Sequence, residues 1–229
     1  MRLFFSLISL FFVLSGLAQD SLSVSIDTKY REDQFYASIT YNALHNKPDG
    51  ISSTDLSTGF HLGFIRDMPI NEKRNWAIGV GLGVSLNSYN QNLAITQNVN
   101  GTQFNNSDAI LTDVSKNKFT NYLIDLPIEF RWRTSTPTDY KFWRIYSGIK
   151  ISYLFYNSSR LESNTLSQNL SNLDEFNKIQ YGLTLSAGYG TWNFQLYYGL
   201  NPIFNDDAKL NGESIDLKAL RVGLIFYIL

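Results

Sequence analysis

Trp76-Ala77-Ile78-Gly79-Val80-Gly81-Leu82-Gly83-Val84-Ser85-Leu86-Asn87 decides the fold. In an extended chain successive side chains point to opposite faces. Trp76, Ile78, Val80, Leu82, Val84 and Leu86 therefore share one face, and Ala77, Gly79, Gly81, Gly83, Ser85 and Asn87 the other. Every residue of the first set is large and apolar, and none of the second is. A strand in a soluble sandwich alternates too, but its wet face carries charges and threonine more often than three glycines. The glycines sit inside a strand, not at a strand-to-helix turn, so they are no phosphate loop. They make space.

The same alternation recurs over 35–42, 59–64, 121–133, 143–153, 178–188, 192–199 and 220–228, which gives eight strands. With their flanks these approach the roughly 9–11 residues of a tilted membrane-crossing strand. The polar set includes Asp125, Glu129, Arg131, Arg144, Lys150 and Arg221. An isolated Arg or Lys facing lipid at the midplane costs about 2–4 kcal/mol, whereas opposite charges in a lumen pair with one another. The sequence predicts apolar out and polar in, the reverse of a soluble lipocalin-like barrel. The fold class is all-β, an eight-stranded antiparallel transmembrane β-barrel.

Connection lengths orient it. Long stretches at about 44–57, 90–117, 157–175 and 201–214 alternate with short ones at 67–75, 134–140 and 190–191. Such barrels have short periplasmic turns and long external loops, which predicts both termini on the periplasmic side. The long loops are rich in Asn, Ser, Thr and Gln and read as solvated. All four tryptophans, Trp76, Trp132, Trp143 and Trp192, fall on the outward face at the predicted periplasmic strand ends, as an interfacial aromatic girdle does. The last strand, 221–229, has a polar residue, a glycine two on and aromatics near its end, like the signal read by barrel-insertion machinery, with Ile228 and Leu229 in place of a terminal aromatic.

Composition bounds the function. Aromatics are 15 % of 229 residues and charged residues 17 %, the latter below the roughly 25 % of a soluble domain. A net charge of −1 gives no nucleic-acid signal. The absence of cysteine excludes disulfides, thiolate metal sites and a lipid-modified cysteine. Arg2, the apolar run 3–14 and the small residues Gly16 and Ala18 predict a signal peptide at 1–18. A short periplasmic segment, 19–33, then precedes the barrel domain, 34–229. The predicted address is the outer membrane, and membrane lipid is the first partner.

Eight strands enclose only enough room for side chains to fill the interior, so a wide diffusion pore is not expected. The lumen charges read as an ion-pair network that fixes strand register, with a narrow solute path as the sharper alternative. Catalysis has little to stand on. His61 is predicted in the lumen and His45 on the first external loop, and neither belongs to a visible Ser-His-Asp arrangement. Neither a catalytic residue nor a cofactor or metal site is assigned. Arg66, Lys73, Arg74, Arg131, Arg133, Lys141 and Arg144, against Asp67, Glu72, Glu129 and Asp139, gather at the periplasmic strand ends. This basic rim suits docking of an acidic periplasmic partner. Solvation of the membrane boundary and contact with lipid phosphates account for it equally.

Two segments carry a family resemblance. Phe60-His61-Leu62-Gly63-Phe64-Ile65-Arg66-Asp67-Met68-Pro69-Ile70 is one, followed by the glycine-rich strand. The other is Leu126-Pro127-Ile128-Glu129-Phe130-Arg131-Trp132-Arg133, running into Phe142-Trp143-Arg144-Ile145-Tyr146. Together they resemble the PorT family of outer-membrane barrels, associated with the type IX protein secretion and gliding-motility system. The resemblance extends from about Lys29 to the C-terminus and carries over no catalytic residue. It implies a non-enzymatic secretion component or assembly factor acting through contact with other secretion-machinery proteins. The alternatives are a generic OmpA-like small barrel for envelope integrity or adhesion, and a lipid-modifying barrel enzyme. The oligomeric state is not readable from the sequence.

Overall fold

The structure, a computed structural model, describes residues 33–99, 101–134 and 141–228. The signal-peptide reading at 1–18 lies outside them, as does the periplasmic segment read at 19–33 except for its last residue, Asp33. Eight strands form the wall: β1 (Gln34–His45), β2 (Thr58–Pro69), β3 (Trp76–Asn90), β6 (Lys116–Arg133), β7 (Trp143–Glu162), β9 (Ile179–Tyr189), β10 (Trp192–Gly199) and β13 (Lys218–Ile228). Each pairs antiparallel with its neighbours in the ring β6-β3-β2-β1-β13-β10-β9-β7, and β7 returns to β6. The first and last strands meet along a seam in which Phe35 faces Ile228 and His45 faces Lys218. Closure leaves no open edge in the wall, a requirement for strands in lipid.

Burial follows the alternation. Along β3 the pattern is exposed-buried from Trp76 onward, with Leu82 63 % exposed and Ala77 fully buried. Phe35, Ile39, Leu62, Ile128, Ile149, Leu183 and Phe194 are exposed, while Asp125, Arg131, Lys150 and Arg221 are buried. Apolar side chains face outward and charges inward, as the alternation predicts. The four tryptophans stand on the outer face at the end with short turns. Trp76 lies 5.0 Å from Phe130 and 6.3 Å from Trp132, Trp143 is 5.3 Å from Tyr189, and Trp192 is 5.7 Å from Phe226. Toward the other end the outer face carries Tyr41, Tyr153, Tyr156, Tyr181 and Tyr198. From Trp143 to Tyr153, a rise of roughly 3.3 Å per residue and a tilt of roughly 40° give an apolar band about 25 Å high, the height of such barrels' lipid-facing belt. Leu82→Arg, in the middle of this belt, is expected to lower stability by about 2–4 kcal/mol, read by urea titration of the protein folded in lipid vesicles.

Inward glycines serve two purposes. At Gly63 and Gly83 a Cβ would strike the Tyr36 ring, and at Gly79 it would lie 2.7 Å from Cδ of Arg131, so these positions make room for large lumen side chains. At Gly148, Gly188 and Gly223 a Cβ would run into the backbone of the adjacent strand. There the strands themselves pass too close for any side chain.

The long loops are not merely solvated. Between β3 and β6 a hairpin of β4 (Leu93–Asn98) and β5 (Gly101–Asn106) leads to a single helical turn, Ser107–Ile110, capped by the Asn106 side chain. β7 runs on to Glu162 and pairs beyond the ring with β8 (Ser167–Ser171). Between β10 and β13 lies the small hairpin of β11 (Lys209–Leu210) and β12 (Glu213–Ser214), whose Asn211-Gly212 turn takes φ of 54° and 88°. Both are left-handed, as a tight Asn-Gly hairpin requires. Loop apolar residues fold over the barrel end: Ile51, Leu93, Ile95, Phe104, Leu173, Phe176, Ile203, Phe204 and Ile215 join Tyr89, Phe119 and Leu123 of the wall in one buried cluster. Phe204 is central, 5.4 Å from Phe104, 5.3 Å from Phe119 and 4.6 Å from Phe176.

Candidate functional site

Beneath this apolar cap the lumen is polar and layered. Next to the cap, Arg221 donates from Nε to the Tyr89 hydroxyl at 3.1 Å and lies over the Tyr197 ring at 4.3 Å. His61 is buried on the same inward face, its Nε2 3.1 Å from the Thr40 hydroxyl. Asp125 follows, accepting from Ser152 at 2.6 Å and pairing with Lys150 at 3.5 Å. Each contact joins different strands, so a slip in register breaks it.

The turn end of the lumen holds the densest charge. Asp67 of β2 reaches across to β6, with Oδ1 2.9 Å from Nη1 of Arg131 and Oδ2 2.7 Å from Nη1 of Arg133. The Arg131 contact is a well-formed hydrogen bond, while the Arg133 contact is close but out of line for one. Arg131 also donates to Gln34 at 2.6 Å, lies 3.4 Å from Glu129 and stacks over Tyr146 at 4.0 Å. The Asp67 backbone N–H donates to the Asp33 carboxylate at 2.9 Å. Asp67 of β2 thus meets Arg131 and Arg133 of β6.

The basic rim is divided by this geometry. Arg66, Lys73 and Lys141 are exposed and Arg74 is half-buried. Arg131 and Arg133 are fully buried and Arg144 nearly so. These three are lumen residues, turned away from any flat surface a protein partner could cover. Their inward parity, shared with Asp125 and Glu129, decides it. His45 is also placed differently from the expected loop surface. It ends β1, half-buried, with its ring stacked on Tyr198 at 4.5 Å. The cap escaped the sequence reading because its apolar residues are scattered among Asn and Ser without a period. Among the described residues no group of three or more His, Cys, Asp or Glu could hold a metal.

These features define a small outer-membrane barrel. The sequence matches the family model described as outer membrane protein beta-barrel domain over residues 17–205, and the chain belongs to that family. No curated protein matches it. Two solved structures of Ail, the attachment invasion locus protein of Yersinia pestis, are similar to the chain. One, in complex with the heparin analogue sucrose octasulfate, is 10% identical, covers 86% of this chain and 99% of its own, and has a TM-score of 0.39. The other is 14% identical, covers 85% and 97%, and has a TM-score of 0.30.

Proposed function

We propose that the protein is a non-enzymatic, non-conducting barrel that acts by contact through its loop-end cap, in envelope integrity or adhesion. The buried cap carries this reading. A barrel that only needed to close its lumen could do so with the polar layers. Here four loops are also ordered around Phe204, and ordered loops lose less conformational entropy when they bind. In the orientation predicted from loop lengths, this cap faces the outside of the cell.

A second reading, a component or assembly factor for type IX secretion, is favoured by one observation. The segments that resemble the PorT family converge on Asp67, Arg131 and Arg133 at the opposite end. One experiment separates the two: deletion of the gene, with complementation by wild type and by Phe204→Ala. Truncating this ring removes about 3–5 kcal/mol of packing from the cap and leaves the wall strands intact. The contact reading expects adhesion or detergent resistance to fall on deletion and to stay low with Phe204→Ala, while secretion is unchanged. Loss of secretion and gliding on deletion, restored by Phe204→Ala, would establish the second reading instead. A deletion strain normal in all of these would sink both.

A further inference from the structure

Arg133 and Arg144 are direct register partners across β6 and β7. Both side chains are buried at the turn end of the lumen, and like charges placed opposite each other repel. The carboxylates nearby are engaged elsewhere: Asp33 accepts from the Asp67 backbone. Asp67 is shared between Arg133 and Arg131, and Glu129 lies against Arg131. Among the described residues Arg144 has no carboxylate at ion-pair distance, only the faces of Phe142 at 4.5 Å and Tyr227 at 5.3 Å. Among the described residues, Nε and Nη1 of Arg144 and Nε and Nη2 of Arg133 have no hydrogen-bond partner. Arg144 therefore faces Arg133 with no ion-pair partner of its own among the described residues. A guanidinium cannot shed its proton to relieve this, and an uncompensated buried charge is strongly destabilising.

The geometry points to a binding site for a small tetrahedral oxyanion of the phosphate or sulfate class, held between Arg133 and Arg144 at the turn-end mouth of the barrel. Planar guanidinium forks match the edges of such an anion and donate two N–H groups at once. The anion places a negative charge between the two like charges. Free phosphate and the phosphate of a lipid headgroup offer the same chemistry. This site is independent of the cap, so it stands or falls separately from the contact function.

The test uses the whole barrel folded in phosphate-free, non-ionic maltoside micelles. The midpoint of heat-modifiable gel migration is followed at fixed ionic strength in chloride, in inorganic phosphate, and in chloride with phosphatidic acid in the micelle. A saturable rise of roughly 5 °C over chloride is expected at full occupancy. A rise with inorganic phosphate assigns a dissolved anion. A rise with phosphatidic acid alone assigns a headgroup. Arg144→Gln should abolish the rise and, in chloride, melt no lower than wild type, because it removes the repulsion; a merely structural arginine would lower that midpoint. Arg144→Lys, which keeps the charge without the fork, should respond more weakly than wild type. Equal wild-type midpoints in all three conditions would overturn the site, as would an undiminished response in Arg144→Gln. The wild-type comparison decides the matter even if a variant fails to fold.

Discussion

Asp67→Ala is expected to destabilise the folded barrel by about 3–5 kcal/mol, the usual consequence of removing one partner of a buried ion pair. Asp67 is fully buried and contacts Arg131 and Arg133 at once. Its loss leaves the Arg144 charge opposite Arg133, Arg133 without its carboxylate partner and Arg131 with Glu129 alone at ion-pair distance among the described residues. Urea titration in lipid vesicles, followed by tryptophan fluorescence, measures the change, since Trp132 lies on β6 with Arg131 and Arg133, and Trp76 lies on β3 between β6 and β2. Combining Asp67→Ala with Arg133→Gln should recover part of the loss by removing one of the stranded charges. Arg66→Gln, next in sequence but exposed on the outer face, should change stability by no more than about 0.5 kcal/mol. Equal effects at Asp67 and Arg66 would show that water, not the ion pairs, satisfies the lumen.

This contrast shows which parts of the molecule were legible beforehand. Lipid on one side and a packed polar interior on the other impose a strict two-residue period, so the wall, its facing and the Trp girdle can be read from 76–87 and its equivalents. The same parity already placed Arg131 and Arg133 with Asp125 and Glu129. Reading them as a rim came from their position near strand ends, which ignores how far the lumen extends. Finding the partner of each lumen charge needs the register between strands distant in sequence, and alternation does not supply it: Asp67 meets Arg131 only because β2 and β6 both flank β3. The cap was hidden for another reason. Loop backbone has no fixed period, so Phe104, Phe176 and Phe204 give no directional signal although their number is high for solvated loops. Their burial follows from tertiary contact alone.

Gly223→Ala is expected to impair barrel closure, at about 3 kcal/mol or more, the upper range for overpacking a tight site. Gly223 lies on β13, paired with Thr40 of β1 at the seam where the first and last strands meet. A Cβ there would sit on the carbonyl oxygen of Ile39 and 2.7 Å from Cα of Thr40. Both obstacles are backbone held by ladder hydrogen bonds, so no rotamer change relieves the clash and the strands must separate. Gly79→Ala is the matched comparison. Its Cβ would meet Cδ of Arg131 at 2.7 Å and Cγ2 of Ile65 at 2.9 Å, flexible side chains that can shift, and a loss of about 1–2 kcal/mol is expected. Refolding yield of the compact, heat-modifiable form separates the two: Gly79→Ala should reach it in near wild-type amounts and Gly223→Ala should not. Were both to fold equally well, seam closure would tolerate a local parting of β1 from β13. The lumen contacts that cross that seam, such as the Ser38 hydroxyl donating to Gln195 at 2.5 Å, would then be what holds the ring together.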